Sequence, residues 1–304
     1  EGNHMRKVQQ GKQKGIYNQR ELDVIIQEVL TAPEFAMDQG SIGIVTPYRK
    51  QADEAGRIIS GGVQSDTVHK YQGREKDTMI MSTVLSGTRG EYSLNFVDDP
   101  QMINVAVSRA IRQFILVTDH DLFYKKGKDI GDLIRYIQYS TLDENVIESQ
   151  VVSIFDLLYQ KYSSKLLRLK AKMKSSAPYQ SEEALRVLLE DILSKEEFHR
   201  FSYTQQVLLR NLLHDTGLLT PDELRYVNNR ASLDFVVFYK QDKTCVLVIE
   251  VDGFAFHENK PDQLIRDELK DNILKKYGIR VLRLPTNGSG EDEKIRNALR
   301  DCIA

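Results

Sequence analysis

The sequence predicts an α/β protein that combines a parallel sheet in its first part with a small mixed sheet in its last third. Two observations carry this prediction. Short apolar runs alternate with helical periodicity up to about residue 125, and a similar mixture returns after Pro178. The stretch between them has helical periodicity only. The expected domains are therefore 15–125, a helical connector at 126–180, and 181–304.

The first region alternates strands and helices in the order that a parallel sheet requires, because parallel neighbours are joined by crossover helices. Short apolar runs predict the strands, and apolar residues at helical spacing predict the helices. The expected strands are 41–46, 78–84 and 113–118, and the expected helices are 18–30, 51–59 and 101–110.

The connector is expected to be helical over 146–174, as one helix or two. Its end, residues 161–174, holds six basic side chains and no acidic one. A phosphate-binding stripe would explain this pattern. A solvated helix face with Leu166, Leu167, Leu169 and Met173 turned inward explains it too, and is favoured because charge runs are common on exposed helices.

The last region is expected to contain a two-stranded hairpin flanked by helices, within a small mixed sheet. Runs rich in valine, isoleucine and phenylalanine predict its strands. The expected strands are 233–239, 244–251 and 279–284, and the expected helices are 181–193, 205–213 and 261–277.

Charge, cysteine content and hydropathy indicate which partners and which redox compartment to expect. With 42 basic and 44 acidic residues in 304, any nucleic-acid surface must be a local groove, while the acidic region 181–304 could bind cations. The two cysteines, Cys245 and Cys302, give neither a disulfide framework nor a zinc spacing, which favours a reducing cytoplasm. No apolar stretch is long enough to span a bilayer, so no membrane partner is expected.

Two segments of the first region carry groups suited to a nucleotide: 66–77 (DTVHKYQGREKD) and 104–110 (NVAVSRA). Gly73 permits close backbone approach, and Glu75 offers a carboxylate that could accept from a ribose hydroxyl. Arg109 could reach a γ-phosphate, where a guanidinium stabilises the charge that develops in phosphoryl transfer.

These segments resemble motifs V and VI of the 5′-to-3′ subgroup of superfamily 1 helicases. The segment 46–51 (TPYRKQ) resembles motif IV, and 17–21 (YNQRE) resembles the segment before it, so four motifs follow in family order. The resemblance implies a second RecA-like motor domain in which Arg109 is the arginine finger.

The sequence contains no P-loop and no Walker B acid, the groups that hold phosphates and magnesium in such motors. The resemblance therefore implies that a first helicase domain belongs to the same, longer polypeptide. ATP would be bound and hydrolysed in that full-length protein, and this chain alone should not hydrolyse it.

Three carboxylates are expected together at the end of the hairpin. A turn centred near Asp242 sets Asp234 opposite Glu250, and Asp252 shares the face of Glu250 because side chains alternate with a period of two. Like charges placed this close repel one another, and a divalent cation, usually magnesium, offsets the repulsion. The plainer alternative is that acids at strand ends simply meet solvent.

Basic residues follow this cluster. His257 lies shortly after Asp252, and Arg266 and Lys270 share one face of the next helix. A lysine or arginine near a metal-bound water can stabilise the charge of a developing phosphorane. His257 by itself is explained equally well as a plain polar residue.

The last region resembles the restriction-endonuclease-like family, within it the very-short-patch-repair branch. The resemblance rests on 250–257 (EVDGFAFH), 266–267 (RD), 270–271 (KD) and 278–283 (GIRVLR). It implies that Asp234 and Glu250, with Asp252 beside them, bind Mg²⁺ or Mn²⁺, and that Glu183 is an accessory acid. The family's Glu-x-Lys is Glu-Val-Asp here, so the lysine is expected from the next helix, Lys270 first and Lys275 second.

Together the motifs predict a helicase–nuclease with magnesium-dependent phosphodiester hydrolysis in its last domain and ATP-driven translocation in the full-length protein. DNA is the expected substrate. Two alternatives stay open. The last domain could be a nuclease fold that has lost catalysis and only binds nucleic acid or protein, or the helicase could act on RNA with the last domain as an accessory.

Overall fold

The computed structural model describes residues 5–8, 14–33, 39–71, 73–141, 145–158, 164–174, 177, 179–213, 215–252 and 261–303. The chain divides into two compact units, Glu1–Val151 and Val152–Ala304. The segment 126–180, expected as a connector, is shared between the two units. Within the described ranges, no helix is long and apolar enough to cross a membrane.

The first unit contains a four-stranded sheet in which every recorded pairing is parallel, in the order β4-β3-β5-β6. A short antiparallel hairpin of β1 and β2 precedes it. The strands are β1 (Met5–Val8), β2 (Gly15–Asn18), β3 (Ile42–Thr46), β4 (Gln64–Thr67), β5 (Lys76–Ser82) and β6 (Ala110–Val117). The predicted RecA-like parallel sheet is therefore confirmed.

Helices connect these strands and cover both faces of the sheet. They are α1 (Gln19–Val24), which continues as a π-helical segment (Ile25–Val29), α2 (Arg49–Ile58), α3 (Gly87–Glu91), α4 (Leu94–Val97), α5 (Pro100–Ser108), α6 (His120–Lys126) and α7 (Asp129–Thr141). Alternate residues of β3 enter different cores: Ile42 and Ile44 join one, and Val45 joins the other. A strand covered on both faces is mostly apolar, as the sequence of β3 is at Ile42, Ile44 and Val45.

The second unit contains a four-stranded mixed sheet in the order β10-β9-β8-β7, which confirms the second predicted sheet. The outer pair β10 and β9 is parallel, and the other two pairs are antiparallel. The strands are β7 (Phe201–Leu208), β8 (Ser232–Tyr239), β9 (Cys245–Asp252) and β10 (Val281–Pro285). The helices are α8 (Ser164–Lys170), α9 (Gln180–Leu193), α10 (Leu209–Leu212), α11 (Pro221–Asn228), α12 (Pro261–Lys276) and α13 (Glu291–Arg300).

Alternation along β8 and β9 decides which side chains face α12. Phe235 and Ile249 pack into the core formed with α9 and α13. Val236 and Val248 pack on the opposite face, into the core that includes Ile273 of α12. Side chains alternate with a period of two along a strand. Asp234 and Glu250 therefore lie on the same face as Val236 and Val248, the face that α12 covers.

Two predicted helices are only partly correct. Residues 205–208 of the range 205–213 belong to strand β7, whose pairing with β8 runs from Phe201 opposite Tyr239 to Leu208 opposite Ser232, and only Leu209–Leu212 is helical. Hydrogen bonding across the sheet outweighs the helical spacing of its leucines. The predicted helix 146–174 begins only with a 3₁₀ turn (Ile154–Leu158).

Candidate functional site

Two carboxylates meet where β8 begins and β9 ends. Phe235 pairs with Ile249, so the next step of the antiparallel register sets Asp234 opposite Glu250, as the hairpin centre predicts. The Asp234 backbone N–H donates to Glu250 Oε1 at 3.3 Å, and Val251 N–H donates to Asp234 Oδ2 at 2.9 Å. Each acid is thus held by the backbone of the strand that carries the other.

An ammonium group from α12 contacts this pair of acids. Lys270 Nζ donates to Glu250 Oε2 at 2.6 Å and to the Ser232 carbonyl at 2.9 Å. The Lys270 side chain is 11% exposed and the Glu250 side chain 6% exposed, so the contact is shielded from solvent. Lys275, the second predicted lysine, is exposed on the same helix.

Burial dominates the electrostatics of this contact. It raises the pKa of Glu250 to about 7, against the opposing effect of Lys270, and the nearby Asp234 raises the pKa further. Burial also disfavours the Lys270 ammonium, but the Glu250 carboxylate outweighs it and holds the pKa of Lys270 above its usual value. Lys270 therefore stays protonated, while Glu250 exchanges its proton near neutral pH.

Asp252, the third predicted acid, is engaged by a cation of the neighbouring strand. Arg283 Nη1 lies 2.7 Å from Asp252 Oδ1, and Arg283 Nη2 lies 2.7 Å from Asp271 Oδ1. Although burial opposes it, the hydrogen bonds that Arg283 donates to Asp271 and the charges of both aspartates raise the pKa of Arg283. Asp252 thus lies in an ion cluster centred on Arg283.

The predicted accessory acid, Glu183, points into a different environment. It is buried and accepts hydrogen bonds from Arg186 Nη2 and the Lys174 backbone N–H, both at 2.7 Å. The preceding residue, Glu182, instead accepts from Gln206 Nε2 at 2.8 Å. Burial raises the pKa of Glu182, and the negative charge of Asp234 raises it further. Glu182, one residue before the predicted position, is therefore the acid of α9 that is linked through Gln206 to the strand position opposite Asp234.

Tyr226 of α11 is another neighbour that the sequence did not indicate. It packs against the core on the α12 side of the sheet. Burial raises the pKa of its hydroxyl, and the charges of Lys270, Asp267 and Glu250 also act on it. No sequence pattern marks this residue, because its proximity arises from helix packing. His257 lies outside the described residues.

Asp234 and Glu250 fit the ligand preference of magnesium. In the part of the chain that the structure describes, no group of three or more His, Cys, Asp or Glu side chains is arranged to hold a metal ion. Magnesium is usually bound by only one or two carboxylates, and water and substrate phosphates complete its coordination. Two carboxylates joined by a backbone hydrogen bond meet that requirement.

The predicted nucleotide-facing residues of the first unit also lie together. Glu75 precedes β5 and Arg109 precedes β6, and Glu75 Oε1 lies 3.9 Å from Arg109 Nη1. Among the described residues, Arg109 Nε is buried without a hydrogen-bond partner, so this guanidinium retains donor capacity. Gly73 has a φ of +81°, a left-handed conformation that explains the glycine.

A buried polar network connects two of the helicase-like segments with the end of β5 and the residues just after it. Asn18 N–H donates to Gln51 Oε1 at 2.8 Å, and Gln51 Nε2 donates to Ser82 Oγ at 2.8 Å. Ser82 Oγ and Val84 N–H both donate to Glu21 Oε2. Burial raises the pKa of Glu21 to about 8, although these hydrogen bonds oppose the shift. The sequence indicated the segment 17–21 but not that its glutamate is buried.

Comparisons with known proteins divide the chain in the same way. Residues 2–121 match a family described as an AAA domain, and residues 178–303 match a family described as a protein of unknown function (DUF2726). The DNA polymerase alpha-associated DNA helicase A of Saccharomyces cerevisiae is 28% identical over 116 residues, which are 36% of this chain and 17% of that protein.

Two further relatives carry both activities in their names. The DNA replication ATP-dependent helicase/nuclease DNA2 of Mus musculus is 34% identical over 157 residues, which are 49% of this chain and 13% of that protein. The DNA replication ATP-dependent helicase/nuclease JHS1 of Arabidopsis thaliana is 36% identical over 107 residues, 34% of this chain and 8% of that protein. This chain spans less than a fifth of each relative. The matches support a helicase-type domain in the first unit.

Proposed function

We propose that this chain is part of a helicase–nuclease that acts on DNA, and that its second unit hydrolyses phosphodiester bonds with the help of a divalent cation. The observation that carries the proposal is the buried contact of Lys270 with Glu250, beside Asp234. Two carboxylates and an amine are the groups that such hydrolysis needs. The names of two relatives, which pair helicase with nuclease, support the combination.

Each residue of the site has a proposed role. Asp234 and Glu250 would hold Mg²⁺ or Mn²⁺, with Glu182 as the accessory acid. When bound, the cation supplies an activated water and charge stabilisation. Lys270, anchored on the Ser232 carbonyl, fixes the Glu250 carboxylate, and its positive charge stabilises the negative charge that develops on the phosphate.

The first unit has the complementary role in the proposal. Arg109 and Glu75 would face ATP in the full-length protein, where the guanidinium of Arg109 stabilises the charge that develops on the transferred phosphate. The coupling of ATP hydrolysis to movement along DNA belongs to that longer polypeptide.

Cleavage assays test the nuclease directly. The purified chain is incubated with labelled single- and double-stranded DNA in Mg²⁺, Mn²⁺ or EDTA, and cleavage is expected with either metal but not with EDTA. Asp234→Ala should abolish cleavage. Its thermal midpoint in EDTA should equal or exceed that of the wild type, because the substitution removes repulsion between neighbouring carboxylates. Metal should stabilise the wild type and not the variant.

A second pair of variants tests the lysine. Lys270→Gln should lower the cleavage rate on the order of a hundredfold or more, because it removes the charge proposed to act on the transition state. Lys275→Ala, on the same helix but exposed, should cleave as the wild type does. Circular dichroism verifies that both variants fold. If Lys275→Ala is inactive and Lys270→Gln is active, the lysine is misassigned.

A second candidate function is a nuclease fold that binds nucleic acid without cutting it. Asp252 favours it, since this acid stands at the family's lysine position and is neutralised by Arg283. Labelled RNA and DNA are compared in the same assay. Binding without cleavage in either metal would establish this second function, and cleavage of RNA alone would replace DNA as the substrate.

A further inference from the structure

Gln206 has an uncommon backbone conformation within β7, the edge strand of the second sheet. Its φ is +51°, in the left-handed region that residues other than glycine, asparagine and aspartate seldom occupy. Its neighbours Gln205 and Val207 pair with Phe235 and Leu233 in one continuous register. The strand therefore keeps its pairing on both sides of the strained residue, and Gln206 stands opposite Asp234.

Such a conformation destabilises the fold and persists only where other contacts support it. Strained residues of this kind concentrate at functional sites. Here the strained residue opposes a proposed metal ligand, and its side chain supplies the reason for the strain.

The Gln206 amide holds a carboxylate next to another carboxylate. Gln206 Nε2 donates to Glu182 Oε2 at 2.8 Å, and the strand register sets Gln206 opposite Asp234, so this hydrogen bond holds Glu182 next to the position of Asp234. Repulsion would turn Glu182 toward solvent. A neutral donor retains it without adding a positive charge that would compete with a metal cation.

We propose that Gln206 is a positioning residue of the nuclease site, which holds Glu182 beside Asp234 so that α9 adds a negative charge next to the two carboxylates proposed to bind the cation. The inference rests on the function proposed above. Hydrogen-bond partners that orient metal ligands typically change metal affinity by about 10- to 100-fold when they are removed.

Mn²⁺ titration calorimetry on the whole chain tests this role. Gln206→Ala should bind Mn²⁺ about tenfold more weakly than the wild type. Gln206→Asn tolerates the left-handed backbone but is one methylene shorter, so it should lose the same affinity while its thermal midpoint stays equal or rises. Gln205→Ala, an exposed neighbour on the same strand, is the matched control and should bind as the wild type does.

A double-mutant cycle separates positioning from general destabilisation. If Gln206 acts only through Glu182, then Gln206→Ala should cause no further loss in a Glu182→Gln background. Wild-type affinity in Gln206→Ala and Gln206→Asn, or losses that multiply in the double variant, would overturn the inference. Asp234→Ala keeps the two hypotheses distinct, because unchanged Mn²⁺ binding in that variant contradicts the proposed function itself.

Discussion

Replacing Glu21 by glutamine should remove much of the pH dependence of the stability of the first unit. Glu21 is 5% exposed, and its pKa is raised by burial from an ordinary 4.5 to about 8. Between these two values the folded protein retains a proton that the unfolded chain has released. Stability is therefore highest at acidic pH, near the unfolded pKa, and falls as the pH rises toward 8.

The expected effect is large compared with the stability of a domain. Each unit of pKa difference corresponds to about 1.4 kcal/mol, so the difference between about 8 and 4.5 sets an upper bound of roughly 5 kcal/mol. Between about pH 5.5 and 7.5, the free energy of unfolding should fall by roughly 2.5 kcal/mol on account of this one group.

Glutamine can occupy the same network. Its carbonyl can accept from Ser82 Oγ and the Val84 N–H, as Glu21 Oε2 does, and its amide can donate to Thr83 Oγ1, which now donates to Glu21 Oε1. The variant should therefore fold, and its stability should exceed that of the wild type above about pH 7 because no buried charge forms.

Urea unfolding followed by circular dichroism, at intervals between about pH 5.5 and 8.5, measures the difference. Other buried acids titrate in both proteins, so only the difference between the two curves reports on Glu21. Asp53→Asn, at a half-exposed carboxylate of the same unit, is the control and should keep the wild-type pH dependence. Parallel curves for wild type and Glu21→Gln would refute the reasoning.

Three further predictions follow from contacts elsewhere. Arg230→Gly should raise the thermal midpoint by a few degrees, because this exposed residue just after α11 has a φ of +59° that glycine adopts without strain; a lowered midpoint would contradict this. Arg283→Ala should lower the free energy of unfolding in urea by roughly 1–3 kcal/mol, and adding Asp252→Asn should restore part of it. The chain alone should show no ATPase activity; turnover that Arg109→Ala abolishes would show that it contains a complete site.

Much of the fold could be predicted because local periodicity agreed with the packing. The strand β3 is apolar at every position except Gly43 and Thr46, as a strand between two layers must be. The helix prediction over 205–213 fails at β7 because the local periodicity there disagrees with the packing. Val207, Leu208 and Leu212 have a spacing that also suits a helix, and only pairing with a distant strand decides between the two.

The candidate site shows the same division between local and distant information. Asp234 opposite Glu250 follows from the position of one turn, which is a local property. Which glutamate of α9 lies near Asp234 depends on the rotation of the helix, and one residue corresponds to about 100°. Arg186 binds Glu183 and leaves Glu182 near the site, an outcome that the acidic pair in the sequence does not reveal.

The ion pair of Asp252 could not be predicted for a topological reason. Arg283 reaches it because β10 lies parallel to β9, with Arg283 opposite Glu250. The sequence indicates that a strand exists near residue 280 but not which existing strand it joins. The sequence therefore shows that Asp252 takes the lysine position of the family that this region resembles, but it does not show that Arg283 balances the charge of Asp252.

Because Lys270 is carried by a helix and not by the strand of Glu250, the contact between them depends on how that helix packs. Lys270 contacts Glu250 from α12, and Ile273 and Leu274 of the same helix are buried in the core against the sheet. Under the proposed function, substitutions in that apolar contact should therefore abolish cleavage while every polar residue is retained, and the strand position two residues after Glu250 is free to take another role. A sequence search that requires an acid and a lysine on one strand would miss proteins in which the lysine lies on the next helix.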